Sequence, residues 1–198
     1  MLIMQKGSIE IITGSMFSGK THELIRRLRL CAIAKKKVQV FKSHLDARYK
    51  DQFLVSHDGF ELGSMPVRSS QEILDLIPSD TQVVGVDEAQ FFDPQLVDVC
   101  EFLAKREVRV IVAGLDRDYR GQPFEVMAQL MARAEQVTKN AAICSVCGDD
   151  AYYSQRLADE SGRRVVVGAA EAYEARCRRC FIWPSASTRE PSLAAVAN

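Results

Sequence analysis

No run of about 18 consecutive apolar residues occurs in this chain of 198 residues, which argues against a membrane-spanning helix. The opening Met1-Leu2-Ile3-Met4-Gln5-Lys6 lacks the long apolar segment of a signal peptide, so the expected compartment is the cytoplasm. No excess of charge of either sign exists: 26 Lys and Arg balance 26 Asp and Glu. That argues against a chain devoted to electrostatic binding of nucleic acid, and leaves room only for a local basic patch. There is no internal repeat. Hydrophobic residues make up 47% of the chain, enough to bury a core and too many for wholesale disorder. The length fits one domain, or one domain plus a small module. In a reducing compartment the six cysteines are expected as thiols or metal ligands, not disulfides.

What is present is an alternation of short apolar runs with longer amphipathic ones. Ser8 to Thr13, Val38 to Phe41, Gln82 to Asp87, Val108 to Ala113 and Gln136 to Ile143 read as strands. Lys20 to Ala34 carries Leu24, Ile25, Leu28 and Cys31 at helical spacing. Further helices are expected over Gln71 to Ile77, Pro94 to Lys105 and Phe124 to Arg133. Strands apolar on both faces, alternating with helices, predict an α/β fold with a parallel sheet flanked by helices. Lys42 to Met65 fits neither pattern and is expected to be a long functional loop. Residues 1–143 form the expected α/β domain, 144–184 a small cysteine-bearing domain, and 185–198 a tail with little to bury.

Gly14-Ser15-Met16-Phe17-Ser18-Gly19-Lys20-Thr21 fits the phosphate-binding pattern G-x-x-x-x-G-K-[ST] without a mismatch. It follows a predicted strand and opens a predicted helix. Glycines let backbone N–H groups curl toward one point, where the helix N-terminus adds partial positive charge. Lys20 is placed to reach the β- and γ-phosphates of a nucleotide, and the Thr21 hydroxyl to ligate Mg²⁺. The bland alternative is a glycine-rich turn capping a helix.

Val83-Val84-Gly85-Val86 runs directly into Asp87-Glu88. A carboxylate ending an apolar parallel strand sits at the edge where open α/β sheets bind ligands. Asp87 is expected to hold Mg²⁺, directly or through water. Glu88 is then placed to take a proton from an attacking hydroxyl or from water, and the pair alone does not choose between them.

Cys144-x-x-Cys147 and Cys177-x-x-Cys180 suit a tetrahedral zinc site, with 29 residues between the pairs. Four thiolates leave no open position, so the metal would be structural. A redox dithiol or plain buried thiols are the alternatives. Cys31 and Cys100 fall on apolar helical faces and are expected in the core.

Together the phosphate loop, Asp-Glu-Ala-Gln-Phe-Phe, Gly-Leu-Asp-Arg-Asp-Tyr-Arg-Gly and the two cysteine pairs closely resemble the zinc-containing (type II) thymidine kinases, from about Gly7 to Pro184. The resemblance implies a P-loop NTPase-type domain and a zinc domain whose lasso-like loop covers a nucleoside. It implies transfer of the γ-phosphoryl of ATP to the 5′-hydroxyl of thymidine. Glu88 matches the family's catalytic base. Gly14 to Thr21 match its ATP loop, Asp87 to Gln90 its second nucleotide-contacting stretch, and Asp46 and Arg48 its Asp-x-Arg near phosphates and metal. Met16, Phe91, Leu115, Tyr119 and Phe124 match the lining of the base pocket. Ser154 stands near the base where Thr is common, followed by Arg156. Tyr173 matches the lasso tyrosine, and Val166 and Gly168 match backbone contacts to the base. Members are homotetramers inhibited by thymidine triphosphate. Two departures stand out. Thr21-His22 replaces Ser-Thr, which keeps the hydroxyl. Gly168-Ala169 replaces Gly-Gly, and Ala169 restricts the backbone there.

Two rival readings use the same residues. A P-loop ATPase or motor subunit would have Glu88 activate water. A nucleic-acid-binding zinc ribbon would use Arg163, Arg164, Arg176, Arg178 and Arg179, which make the cysteine region locally basic.

Overall fold

A computed structural model of the chain describes residues 7–45, 53–55, 61–157 and 172–183. The first half runs β1 (Ser8–Gly14), α1 (Lys20–Ile33), β2 (Val38–Ser43), β3 (Phe53–Val55), β4 (Glu61–Gly63), β5 (Met65–Val67), α2 (Ser70–Leu76) and β6 (Val83–Asp87). It continues with α3 (Leu96–Lys105), β7 (Arg109–Gly114), α4 (Glu125–Arg133) and β8 (Gln136–Asn140). Six strands form one parallel sheet in the order β5-β2-β6-β7-β1-β8.

The sheet is apolar on both sides because both are covered. On one side Leu24, Leu28 and Cys31 of α1 pack on Ile12, Val40, Ile111 and Ala113. On the other, Ile73, Leu96, Cys100, Leu103, Met127 and Leu130 of α2, α3 and α4 pack on Ile9, Ile11, Val84, Val86, Val110 and Val112. Cys31 and Cys100 are core residues as expected, and burial pushes the Cys100 thiol up to about 12.

Glu10 is the buried charge that the apolar reading of β1 passes over. It is held by Arg27 at 2.9 Å and Arg109 at 2.6 Å, and Arg27 also bonds Thr138 at 2.9 Å. A buried carboxylate is tolerated when paired in this way.

Gly85 lets α1 approach the sheet. A Cβ there would lie 2.6 Å from Leu28 Cδ1 and 3.1 Å from Cδ2. Leu28 is fully buried. We expect Gly85→Ala to lower stability by about 1–3 kcal/mol. The readout is a lower urea midpoint at unchanged slope, and an unchanged midpoint would show that the interface has slack.

Two expected boundaries need correction. The run Gln136 to Ile143 is not one strand: β8 ends at Asn140, and β9 (Ala142–Ile143) pairs antiparallel with β10 (Asp150–Ala151) outside the main sheet. The stretch Lys42 to Met65 is not all loop: β3 and β4 pair antiparallel, and β5 forms the sheet's outer edge beside β2. An edge position explains how Pro66 is accommodated in a strand.

The cysteine-bearing region adds a second hairpin, β11 (Tyr153–Arg156) with β12 (Tyr173–Arg176). Its interior is Ala142, Cys144, Ala151, Ala175 and Cys177, with Cys180 at the margin. No helix among the described residues is long and apolar enough to cross a membrane.

Candidate active site

The C-terminal ends of β1, β6 and β7 lie side by side and each delivers one part of the site. After β1 the loop Gly14 to Thr21 turns into α1. Gly14 has φ 140, and a Cβ there would sit 2.3 Å from the Asn140 carbonyl oxygen. Gly19 has φ 74, a left-handed conformation suited to glycine. Phe17 takes φ 65 with its ring half exposed. The Ser18 hydroxyl donates to the Ser15 carbonyl at 2.8 Å, and Lys20 Nζ donates to the same oxygen at 2.7 Å. The loop is thus closed on itself, with the lysine lying across it.

Asp87 ends β6 and is 5% exposed. The Thr21 hydroxyl donates to its Oδ2 at 3.1 Å, and the Glu88 N–H donates to its Oδ1 at 2.9 Å. Burial, and then the neighbouring Glu88 charge, push the Asp87 carboxyl up to about 7. A buried carboxylate and a hydroxyl in contact are hard oxygen donors short of positive charge, and this donor set fits Mg²⁺.

Glu88 has φ 52, a left-handed backbone forced by the turn from β6 into the single 3₁₀ turn Ala89–Phe91. Its carboxylate accepts from Gln90 Nε2 at 2.5 Å, and Gln90 Oε1 accepts the Leu115 N–H at 2.9 Å.

The segment after β7 carries Leu115, Tyr119 and Phe124. Asp118 Oδ1 accepts the Arg120 and Gln122 N–H groups at 2.9 and 3.0 Å, which tightens the turn around Tyr119. The Arg156 guanidinium lies over the Tyr119 ring at 4.0 Å and donates through Nη2 to the Tyr173 hydroxyl at 3.0 Å. Ser154 Oγ accepts the Met16 N–H at 3.0 Å, and the Ser15 hydroxyl donates to the Ala151 carbonyl at 3.2 Å. The structure therefore joins Met16 to Ser154, and Tyr119 to Arg156 and Tyr173. Phe124 packs in the main core, with Leu115 at its margin and Phe91 half-buried. Asp46, Arg48, Val166 and Gly168 lie outside the described residues.

Asp116 escaped the sequence reading. It is 4% exposed, its Oδ2 meets Lys139 Nζ at 2.6 Å and Arg117 Nε at 3.1 Å, and its Oδ1 has no hydrogen-bond partner among the described residues. Arg117 covers the Tyr153 ring at 4.4 Å, and Lys139 lies 5.9 Å from the Tyr152 ring centre. The one available signal was its place just past the end of β7, as Asp87 ends β6.

The four cysteine sulfurs of Cys144, Cys147, Cys177 and Cys180 all lie within 4.8 Å of one another, with Cys147 and Cys177 at 3.6 Å. Tetrahedral thiolates about 2.3 Å from zinc stand about 3.8 Å apart, so the set fits the ion. Each pair spans a tight turn: Gly148 N–H bonds the Cys144 carbonyl at 2.9 Å, and Phe181 N–H the Cys177 carbonyl at 2.9 Å. Burial opposes ionisation of Cys144, yet N–H groups of Cys177, Cys147 and Val146 bring it down to about 6. Hydrogen bonding with Cys147 and Cys177 holds the Cys180 thiol up at about 12. All four sulfurs could ionise together only with a cation among them, which is the charge balance a structural zinc would supply.

Three comparisons with known proteins bear on this geometry. The family model described as thymidine kinase matches residues 7–181. A thymidine kinase from Rhodothermus sp. (strain ITI 518) is 57% identical over 195 residues, covering 96% of this chain and 91% of that one. Among solved structures, the flagellar accessory protein FlaH from Methanocaldococcus jannaschii superposes with a TM-score of 0.50 at 13% identity, covering 74% of this chain and 76% of that chain. That last likeness is one of fold alone. A family match running through the phosphate loop, the acidic strand end and both cysteine pairs, together with a relative of such identity, places this chain in the thymidine kinase family.

Proposed function

We propose that the chain transfers the γ-phosphoryl group of ATP to the 5′-hydroxyl of thymidine, giving thymidine monophosphate and ADP. The observation that carries this reading is the meeting of three parts on one sheet edge. Thr21 of the loop bonds Asp87, Gln90 ties Glu88 to Leu115, and the strand that carries Arg156 reaches the loop through Ser154 Oγ and the Met16 N–H.

Phosphoryl transfer is mainly positioning and charge neutralisation. The N–H groups of Gly14 to Thr21 and the Lys20 ammonium bind the nucleotide phosphates. Thr21 and Asp87 would hold Mg²⁺, which supplies charge neutralisation at those phosphates when bound. The resemblance to the family assigns Asp46 and Arg48 to the same phosphates. Glu88 accepts the 5′-hydroxyl proton as that oxygen bonds the γ-phosphorus. The bond to the β-phosphate oxygen breaks, and ADP leaves with its electrons.

Thymine's flat face and methyl group call for aromatic and apolar walls. Met16, Phe91, Leu115, Tyr119 and Phe124 provide them, with Ser154, Arg156 and Tyr173 at the polar end, and the resemblance to the family assigns backbone contacts to Val166 and Gly168. The four cysteines would hold a structural Zn²⁺ that ties the ends of β9 to β12 together. The working division is a kinase domain over 1–143, a zinc domain over 144–184 and a tail over 185–198. Assembly as a homotetramer and inhibition by thymidine triphosphate are part of the same proposal.

The test is product formation from ATP and Mg²⁺ with thymidine, deoxycytidine, deoxyadenosine or no nucleoside. Thymidine-dependent monophosphate is the expected result. ATP hydrolysis indifferent to nucleoside would show that Glu88 serves water. Strong salt-dependent DNA affinity without transfer would favour the zinc-ribbon reading.

A further inference from the structure

The backbone of Glu88 is fixed on three sides, while its side chain is half-buried and long enough to take several rotamers. Its N–H is held by Asp87 Oδ1 at 2.9 Å, its carbonyl receives the Phe91 N–H at 3.0 Å, and its φ is 52. A proton acceptor about 1 Å out of place loses much of its effect. Something must therefore select the rotamer.

Gln90 is built to do so. It sits two residues on, within the 3₁₀ turn, and is 7% exposed. Its Oε1 accepts the Leu115 N–H at 2.9 Å, and a backbone N–H can only donate. That bond decides which end of the amide is oxygen and turns the NH₂ toward Glu88, where Nε2 donates to Oε2 at 2.5 Å. A second observation shows that room has been left for this side chain. A Cβ on Gly114 would lie 3.0 Å from Gln90 Oε1 and 2.8 Å from Met127 Sδ, so glycine at the end of β7 keeps the amide in place.

We infer that Gln90 is a positioning residue for Glu88: its side-chain amide, set by the Leu115 N–H and seated against Gly114, holds the carboxylate in its proton-accepting rotamer and ties that rotamer to the segment lining the nucleoside pocket. The inference rests on the assignment of Glu88 as the base. It moves the role of Gln90 from contacting the nucleotide to acting through the carboxylate. It also links the two substrates' sites, since Leu115 stands at the pocket and Glu88 at the reacting oxygen.

The test uses the full chain and two variants. Gln90→Met keeps the side chain's length and loses both hydrogen bonds. Gln90→Glu keeps the acceptor for Leu115 but replaces the donor to Glu88 with a repelling charge. Hydrogen bonds to charged groups are strong enough that each variant should lose about 10–100-fold in kcat. KM for ATP and for thymidine should stay within about threefold in both, and Gln90→Met should also lose a few degrees of melting temperature because the Leu115 N–H loses its acceptor. A merely structural role would raise KM for thymidine in Gln90→Met along with its loss of stability and leave kcat within about threefold of the parent in both variants. A direct nucleotide contact would raise KM for ATP. Either pattern overturns the inference.

Adding Gln90→Met to Glu88→Gln separates this inference from the reading beneath it. If Gln90 acts through the carboxylate, the double variant is no slower than Glu88→Gln. Full turnover in Glu88→Gln would remove the base assignment itself. A dead Glu88→Gln beside a fully active Gln90→Met and Gln90→Glu would remove only the role of Gln90.

Discussion

Glu88→Gln should lower thymidine phosphorylation by about 10²–10⁴-fold, the span expected for losing one positioned general base. ATP affinity should stay within about threefold. Glutamine has nearly the shape of glutamate, so the left-handed turn at φ 52 is no more strained than before. Gln90 Nε2 still finds an amide oxygen to donate to, and the Glu88 N–H still reaches Asp87. What disappears is the ability to take a proton at that point. The loop proposed to hold the nucleotide, Gly14 to Thr21 with its lysine, closes through Ser15 without help from residue 88. The readouts are initial rates of monophosphate formation at saturating ATP and thymidine, with a separate titration of ATP binding. Wild-type turnover would sink the base assignment. Loss of ATP binding in step with turnover would mean that residue 88 holds the nucleotide instead.

How far the sequence showed this site depends on the kind of signal each part carries. The phosphate loop and the Asp87-Glu88 strand end are local patterns, because a strand end, a glycine turn and a helix start are adjacent in the chain. They land where periodicity placed them, at the C-terminal ends of β1 and β6. The cysteine pairs were legible because two tight turns leave a fixed spacing, and their sulfurs do gather within 4.8 Å. The short edge strand β5 was not legible, since three residues with a central proline carry no alternation to read. The break between β8 and β9 was hidden because the composition stays the same while the chain leaves one sheet for another. The bond from Leu115 to Gln90, which holds Glu88, spans 25 residues and joins two strand ends, and no single-chain pattern encodes such a contact. The carboxylate of Asp116, shared between Arg117 and Lys139, was missed for the same reason.

Removing the proposed zinc should cost the proposed nucleoside site far more than the sheet. Among the described residues, the cluster around the cysteines is three alanines and cysteine side chains, and the aromatic rings of Tyr153, Phe181 and Trp183 pack beside it, a small apolar interior for two pairs of strands. In small domains of this kind the metal supplies the missing folding energy, about 10–16 kcal/mol for isolated finger peptides. Cys177→Ser takes one of four ligands from the end of β12, the strand that presents Tyr173 to Arg156. We expect zinc content to fall well below one per chain, thymidine binding to weaken by at least about 100-fold, and folding yield to drop. ATP binding should weaken less, because the loop closes on itself through Ser15 and Lys20 even where it loses Met16 N–H to Ser154 and Ser15 hydroxyl to Ala151. The helices and the six-stranded sheet have their own core and should keep their far-ultraviolet dichroism. The chain's single tryptophan reports on the change directly. Trp183 packs edge-on to Tyr153 and Phe181, with ring centres 5.6 and 5.0 Å away, and lies beside Gly121 in the segment after β7. Its emission should shift to the red in Cys177→Ser, and equally in the parent chain stripped by a strong chelator. Restoring zinc should reverse the shift in the parent only. Unchanged emission and thymidine affinity in a zinc-free protein would show that the hairpins stand on packing against the kinase sheet, with Asp116, Arg117 and Lys139 as the fastening, and that the cysteines are not what secures them.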